Sequence, residues 1–161
     1  MGKRLFDISL STLLIVGFFP VMAVLAWIIW QEDRGPVLYR GERIGKGERP
    51  FRMLKFRTMR LDNGAGGPTT TSNNDPRITR PGHWIRRYKL DELPQLFNVF
   101  LGDMSFVGPR PQVAWAVETY SPEDRAILSI RPGITDEASI RFHNEGEIVA
   151  GHPDPDRAYM E

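Results

Sequence analysis

Residues 86–96 read RRYKLDELPQL and place two neighbouring carboxylates, Asp91 and Glu92, directly after a group of cations. Apolar residues at positions 90, 93, 97, 100 and 101 recur at helical spacing, so the pattern predicts a helix with that face buried. Pro94 has no amide hydrogen and is compatible with such a helix only in its first turn. We therefore expect Asp91 and Glu92 at the helix N-terminus, diverging by roughly 100° around the axis and facing different partners.

Two interpretations of this acidic pair are open from the stretch alone. Carboxylates in a first turn complement the positive end of the helix dipole, which is a purely structural role. Alternatively, two acids beside a group of cations belong to a reaction centre. Motifs elsewhere in the chain are needed to distinguish the structural role from the functional one.

The charges are distributed unevenly, although the chain of 161 residues, the length of one domain, carries a net charge of only +1. Residues 1–90 hold 16 Lys and Arg against 7 Asp and Glu, whereas residues 91–161 hold 5 against 13. The basic half includes the most apolar segment, which indicates anionic lipid or a phosphate-bearing substrate near a membrane; a solvated surface without a ligand is the alternative. Nucleic acid is not expected as a partner, because stacking aromatics are not interleaved with the basic residues.

The apolar segment Leu10–Trp30 has 21 residues without a charge, which is long enough to span a bilayer. Twelve of them are Leu, Ile, Val or Phe, and each favours insertion by about 0.3–0.6 kcal/mol. Trp27 and Trp30 lie at one end, as interfacial aromatics do. The run is longer than the apolar part of a signal peptide and no small-residue cleavage pattern follows it, so we expect a membrane anchor.

Pro20 lies in the middle of this segment and bears on its topology. Cations flank both ends, and the positive-inside rule would keep both flanks in the cytoplasm. A proline in a helix interior removes a hydrogen bond and costs about 3 kcal/mol. We expect a re-entrant helix, broken at Pro20, that enters and leaves on one face; a Pro-kinked helix that crosses the bilayer is the alternative.

A β-hairpin is predicted after the anchor, with strands at Val37–Arg40 and Phe51–Phe56 around a turn at Gly45–Glu48. Helices are predicted around His83–Tyr88 and from Ser121, where an N-cap serine is followed by proline and acids. The three histidines are too dispersed to indicate a metal site, and without cysteine the chain has neither disulfides nor thiolate ligands. Three weaker expectations are a mobile polar loop and candidate lid at Leu61–Asn74, a turn at Arg131–Thr135 and a short strand at Ala138–His143.

Arg110 stands between two prolines that fix its backbone, as suits an arginine that recognises a phosphate bidentately. An exposed arginine in a structural turn is the alternative. Lys55, Arg57 and Arg60 continue a basic stripe that is either surface charge or a second set of phosphate ligands.

Five motifs occur in order along the chain: KFRTM at 55–59, DPRIT at 75–79, LDELPQLFNV at 90–99, GDMSFVGPRP at 102–111 and RPGIT at 131–135. Together they resemble the bacterial monotopic phosphoglycosyl transferases, the sugar transferase family that begins exopolysaccharide and glycoconjugate assembly. The resemblance runs from about Lys3 to Asn144. It favours the functional interpretation of the acidic pair.

The resemblance implies an α+β, mostly helical fold with a re-entrant membrane helix in residues 1–33, a small hairpin and a catalytic domain in residues 34–161. The expected location is the cytoplasmic face of the bacterial inner membrane, in contact with lipid, and a homo-oligomer is compatible with the family. The implied reaction transfers a sugar 1-phosphate from a UDP-sugar to a polyprenyl phosphate, expected to be undecaprenyl phosphate, and releases UMP.

The resemblance also implies roles for individual residues. Asp91 would be the nucleophile that forms a covalent phosphosugar intermediate, and Glu92 would ligate Mg²⁺. The cations expected to bind substrate phosphates are Arg86, Arg110, Lys55 and Arg57.

Two departures from the family pattern qualify these expectations. Members commonly have serine before the membrane proline, whereas this chain has Phe19. They also continue for some tens of residues beyond the position of Glu161. A membrane-anchored member that is inactive, or that needs a partner subunit, is therefore the alternative to an active enzyme.

Overall fold

The structure is a computed structural model that describes residues 2–60 and 75–136. Within these residues the fold is mixed helix and strand and mostly helical, as expected. The helices are α1 (Gly2–Asp33), α2 (Arg80–Arg87), α3 (Gln95–Leu101) and α4 (Ala114–Glu118); the strands are β1 (Leu38–Ile44), β2 (Pro50–Phe56), β3 (Ser105–Val107) and β4 (Gly133–Thr135). Short 3-10 helices lie at Lys46–Glu48, Leu90–Glu92 and Asp124–Ser129.

Helix α1 extends beyond the apolar segment at both ends and continues through Pro20. No helix end marks the break expected there, because a proline removes one hydrogen bond and leaves those of the neighbouring turns in place. Its apolar side chains largely face outward; Leu13 and Val16 are 68% and 70% exposed. The helix is long and apolar enough to cross a membrane by length and composition.

The first turns of α1 are attached to α3 and β3. The guanidinium of Arg4 donates to the carbonyl oxygens of Val99 and Phe100 at 2.6 and 2.7 Å, so it attaches the first turn of α1 to the last turn of α3. The carboxylate of Asp7 is buried and accepts a hydrogen bond of 2.9 Å from the Ser105 hydroxyl. These contacts hold the N-terminus of α1 against the folded body.

The second half of α1 forms one wall of the main hydrophobic core. Asp33, its last residue, makes an ion pair with Arg57, directly after β2. Both ends of α1 therefore contact the same folded body. The buried members of that core come from α1, β2 and α2: Met22, Leu25, Ile29, Phe56 and Ile85.

The predicted hairpin is confirmed. Strands β1 and β2 pair antiparallel from Leu38 opposite Phe56 to Ile44 opposite Pro50, so β1 is longer than the predicted strand. The turn contains Gly47 at φ 67°, a conformation that glycine adopts without steric cost. The hairpin brings Lys55 and Arg57 to its open end.

The acidic pair lies one element earlier than predicted. Asp91 and Glu92 belong to the 3-10 helix Leu90–Glu92, and α3 begins only at Gln95, after Pro94. The turn starts from Lys89 in the left-handed conformation, with φ 55°. Because Pro94 has no amide to donate, the α-helical ladder starts after it.

The prediction of the buried face of α3 was wrong. Phe97, Phe100 and Leu101 are 38%, 43% and 69% exposed. The buried face carries Asn98, whose side chain accepts from the Leu54 amide at 2.9 Å and donates to the Arg52 carbonyl at 2.9 Å. A side-chain amide that satisfies both groups of a strand is stable in the interior, and this pairing rotates the helix away from the face that its apolar spacing predicts. The other buried residues of the helix are Gln95, Leu96 and Val99.

A helix is present near His83–Tyr88, as predicted, but the helix expected from Ser121 is a 3-10 helix that begins at Asp124. Helix α2 begins after Thr79, whose hydroxyl accepts a hydrogen bond of 3.1 Å from the Gly82 amide. The Ser121 hydroxyl accepts one of 3.1 Å from the Asp124 amide, at the start of a 3-10 helix rather than an α-helix.

The predicted turn at Arg131–Thr135 contains the strand β4, which pairs in parallel with β3. Gly108, the residue after β3, lies against Gly133, the first residue of β4. A Cβ on Gly133 would lie 2.2 Å from the Gly108 nitrogen, so a side chain has no room there. This close approach joins two motifs that are separated by 19 residues. The loop expected at Leu61–Asn74 and the strand expected at Ala138–His143 lie outside the described residues.

Replacement of Gly133 by alanine is expected to destabilise the fold by about 1–3 kcal/mol or more, because the new methyl group meets backbone atoms that cannot move aside. The measurement is thermal unfolding in detergent, followed by circular dichroism. The matched control is Gly17→Ala in α1, where a Cβ meets nothing within 4 Å. Equal unfolding midpoints for the two variants would contradict the proposed close packing.

Candidate active site

The candidate site is centred on the 3-10 helix Leu90–Glu92, between the hairpin and α3. Asp91 is 6% exposed, and its Oδ1 atom is buried without a hydrogen-bond partner among the described residues. Leaving a buried polar atom unpaired costs about 1–3 kcal/mol, and more when it carries charge. Such an atom is poorly explained as a helix-stabilising acid, because that role needs only an exposed carboxylate near the dipole.

Lys55 connects the hairpin to this turn. Its Nζ donates to Oε1 of Glu92 at 2.8 Å, and both side chains are about one-fifth exposed. Burial opposes ionisation of Glu92, but the charge and hydrogen bond of Lys55, helped by Arg110 and Lys89, outweigh it and hold the pKa of Glu92 below its ordinary value. Glu92 is therefore a carboxylate at neutral pH.

The environment of Asp91 acts in the opposite direction. Burial raises the pKa of Asp91, and the neighbouring charge of Glu92 adds to the effect. The positive charges of Lys55 and Arg86 lower it again without cancelling the burial. Two adjacent carboxylates thus have pKa values displaced in opposite directions, a pattern that is enriched at functional sites.

Arg86 is presented to the site by α2. The N-terminus of α2 packs against the residues just after β2, since a Cβ on Gly82 would lie 2.2 Å from the Thr58 carbonyl oxygen. Arg86 follows one turn later, half-buried, with its guanidinium 3.8 Å from the Met59 sulfur. Its charge acts on Asp91, so the predicted cation and the predicted nucleophile belong to one electrostatic cluster.

The other two predicted cations have different positions. Arg110 is exposed between its prolines, its backbone amide donates to Asp136 at 3.0 Å, and its charge lowers the pKa of Glu92. Arg57 is buried and engaged by Asp33 through two donor nitrogens. The structure therefore brings Lys55, Arg86 and Arg110 to the acidic pair, whereas Arg57 anchors the end of α1.

Three structurally important polar residues, Asp7, Thr79 and Asn98, were not predicted from the sequence. Asp7 precedes the apolar segment and is only 3% exposed. Thr79 and Asn98 lie inside quoted motifs, but nothing in their spacing indicates which backbone groups they satisfy. The one indication in the sequence was that Thr79 and Asn98 lie within two of the five motifs that carry the family resemblance.

The donor set was compared with the requirements of Mg²⁺. No group of three or more potential metal ligands of the His, Cys, Asp or Glu type occurs in residues 2–60 and 75–136. Magnesium is usually held by one or two carboxylates, water and substrate phosphates rather than by a cage of protein ligands. Glu92, ionised and beside the unpaired Oδ1 of Asp91, fits a metal shared with a bound phosphate.

The opposite pKa shifts predict opposite effects on stability when each acid is replaced by its amide. Asp91→Asn should stabilise the fold, because it removes a buried charge. The increase in unfolding free energy should be absent below pH 3.8, the ordinary pKa of aspartate, and should grow as the pH rises from there to the elevated pKa of Asp91 in the folded protein. Glu92→Gln should destabilise it by roughly 1–3 kcal/mol above pH 4.5, and the loss should shrink as pH falls through the depressed native pKa.

The measurement is the free energy of unfolding of each variant and of the unmodified protein between pH 3 and pH 8, in steps of about one unit, since each shift acts near its own titration. A destabilisation of equal size in both variants would contradict the assignment of Asp91 as the acid whose charge is disfavoured.

The chain was compared with known protein families and proteins. The sequence model of the family described as bacterial sugar transferase matches residues 1–161. A Bacillus subtilis protein provisionally named an undecaprenyl-phosphate N-acetylgalactosaminyl 1-phosphate transferase is 39% identical over 150 residues, which cover 90% of this chain and 80% of that protein. The undecaprenyl-phosphate glucose phosphotransferase of Komagataeibacter xylinus is 42% identical, over 92% of this chain and 29% of its own.

A third relative is the UDP-glucose:undecaprenyl-phosphate glucose-1-phosphate transferase of Caulobacter vibrioides, 41% identical over 88% of this chain and 54% of its own. The chain thus spans most of the first relative but about a third to a half of the other two. The names differ in their sugar at nearly the same identity, so the sugar varies within the group. The family match over the whole chain, the similar transferases and the long exposed apolar helix make this protein a membrane-associated transferase of the bacterial sugar transferase family.

Proposed function

We propose that the protein transfers a sugar 1-phosphate from a UDP-sugar to a polyprenyl phosphate, giving a polyprenyl-diphosphate-sugar and UMP. Undecaprenyl phosphate is the acceptor that the names of the relatives indicate. The observation that carries the proposal is the buried, unpaired Oδ1 of Asp91 among the charges of Glu92, Lys55 and Arg86. The product would be the first lipid-linked intermediate of a polysaccharide or glycoconjugate.

In the first step, a carboxylate oxygen of Asp91 forms a bond to the phosphorus that carries the sugar. The bond from that phosphorus to the bridging oxygen breaks, and UMP leaves with the electron pair. An acceptor oxygen without a hydrogen-bond partner has a lone pair available for this attack. Splitting the transfer into two displacements through a covalent intermediate is the usual benefit of nucleophilic catalysis.

In the second step, an oxygen of the polyprenyl phosphate bonds to the same phosphorus, and the Asp91 carboxylate leaves with its electron pair. Both steps bring anions together, so the site has to neutralise negative charge. Two unit charges 4 Å apart interact by about 4 kcal/mol at an effective dielectric constant near 20, so Lys55, Arg86 and Arg110 supply a useful share of this stabilisation.

Mg²⁺ is the proposed cofactor, with Glu92 as its protein ligand. When bound, it would neutralise charge on the diphosphate and orient the leaving phosphate. Lys55 holds Glu92 ionised and in position by its 2.8 Å hydrogen bond.

The contacts of α1 support a re-entrant arrangement at the cytoplasmic face. A straight helix that crosses the hydrocarbon core places its two ends about 30 Å apart on opposite sides. Here Arg4 and Asp7 at one end, and Asp33 at the other, all bond to the same folded body. Pro20 is the proposed site of bending, because it weakens the helix where both flanks must return to one side. A cytoplasmic location lets the UDP-sugar and the lipid phosphate meet.

Incubation with a panel of UDP-sugars, undecaprenyl phosphate and Mg²⁺ should release UMP with at least one sugar. Asp91→Asn should lower this release by about 10³-fold or more while the protein stays folded, because a neutral amide is a poor nucleophile. Labelled sugar phosphate should be trapped on Asp91 in the unmodified protein. The matched control is Asp103→Asn, at an exposed acid near the end of α3.

UMP release by Asp91→Asn at the rate of the unmodified protein would exclude the covalent step. No release with any sugar nucleotide would favour the alternative of a member that is inactive or needs a partner subunit.

Single cysteines at Gly2 and at Lys46 should both react with a membrane-impermeant thiol reagent applied from the cytoplasmic side, because a re-entrant helix returns both flanks to that side. The chain has no cysteine of its own, so each variant carries a single thiol. Val16→Cys is the control and should react only after detergent is added. Labelling of Gly2→Cys and Lys46→Cys from opposite sides would mean that α1 crosses the bilayer.

A further inference from the structure

A groove lies at the open end of the hairpin, outside the cluster around Asp91. It has a volume of about 500 Å³ and is lined by Pro36, Val37, Leu38, Tyr39, Arg40 and Arg57. Its volume is within the range of about 300–1,000 Å³ that is typical of ligand pockets. The walls are mainly apolar, with two arginines among them.

One end of this groove adjoins the C-terminal end of α1. Val37 and Leu38 pack against the core that α1 shares with β2 and α2. The ion pair between Arg57 and Asp33 joins the groove wall to the last residue of the helix. Three and six residues before Asp33, Trp30 and Trp27 are 41% and 59% exposed, as expected of aromatics at a membrane interface. The groove therefore opens at the level where a lipid leaves the bilayer.

The hairpin links this groove to the acidic pair through Tyr39 and Lys55. In the β1–β2 register, Tyr39 lies directly opposite Lys55, and the Cβ atoms of such pairs are about 4.5–5.5 Å apart. Lys55 in turn contacts Glu92. A ligand lying along the groove would thus reach from the end of the membrane helix to within one side chain of the carboxylates.

The charges of the lining complement an anionic head group. Arg40 is exposed and has no carboxylate partner in the described parts of the chain, 2–60 and 75–136. The Nε atom of Arg57 is buried and likewise unpartnered within those ranges. An apolar channel that carries the unpaired charge of Arg40 fits an amphiphile that combines a hydrocarbon tail and a phosphate.

We propose that this groove binds the acceptor lipid, with the first isoprene units along Val37, Leu38 and Tyr39 and the phosphate held by Arg40. The inference rests on the proposed transferase function and adds the path of its second substrate. The polyprenyl phosphate is favoured over a bulk phospholipid because only the acceptor has to bring its phosphate to the carboxylates while its tail stays in the bilayer.

The proposal separates the two chemical steps. Formation of the phosphosugar bond on Asp91, with departure of UMP, does not involve the groove. The second step does involve the groove, because in this step an oxygen of the lipid phosphate bonds to that phosphorus and the Asp91 carboxylate leaves. Changes in the groove should therefore slow only the step that consumes the lipid.

The test measures the two steps separately for Tyr39→Ala and Arg40→Ala, whose side chains are exposed and outside the hydrophobic core. Trapped phosphosugar-enzyme should form at the unmodified rate in a single turnover without lipid. Its transfer to undecaprenyl phosphate should slow, or the KM for the lipid should rise, by about tenfold, the size of one lost charge-assisted contact. The matched control, Arg52→Ala, removes an exposed arginine from the same hairpin away from the groove and should change neither step.

A second readout does not depend on turnover. A photoreactive benzoylphenylalanine in place of Tyr39 should crosslink to undecaprenyl phosphate in mixed-lipid vesicles, and excess unlabelled undecaprenyl phosphate should compete. Crosslinking only to bulk phospholipid without competition, or an unchanged second step in both alanine variants, would overturn the groove assignment and leave the transferase proposal standing. Failure of the unmodified protein to form any phosphosugar-enzyme would overturn the function, and the groove assignment with it.

Discussion

An aspartate with one oxygen held out of water and without a hydrogen-bond partner is the constraint on which the site depends. Such an atom is destabilising by itself, so the surrounding structure has to tolerate it. Lys55 and Arg86 do this with charge rather than with direct hydrogen bonds to Oδ1. The result is an acid that is buried, close to cations and still free to react.

That arrangement requires three elements to be held precisely. Asn98 attaches α3 to the backbone of β2, which carries Lys55. The contact of Gly82 with Thr58 attaches α2, which carries Arg86, to the residues after the same strand. The acidic turn lies between them. Polar side chains and tight glycine contacts, rather than a large apolar core, thus set the relative positions of the charged groups.

The sequence predicted much of this without the tertiary structure. The hairpin and the long apolar helix followed from local patterns, and the turn of 3-10 helix after Ser121 was predicted from capping chemistry, although as an α-helix. The grouping of Asp91, Glu92, Lys55, Arg86 and Arg110 followed from motifs in a familiar order. The buried face of α3 did not follow, because apolar spacing cannot show that Asn98 is buried by satisfying a strand while Phe97 and Phe100 stay exposed. Nor could sequence spacing show that Arg57 pairs with Asp33. Whether an arginine binds a substrate phosphate or a protein carboxylate depends on which of these groups the folded chain places next to it.

By itself the sequence determined the hairpin, the apolar helix, the family and the position of the two neighbouring acids, because these depend on local patterns and on residues close together in the chain. Only the tertiary structure decided the opposite pKa shifts of Asp91 and Glu92, the commitment of Arg57, and the attachment of both ends of α1 to one body. The physical reason is that burial and pairwise charge interactions depend on distances between residues far apart in sequence, and those distances exist only after folding.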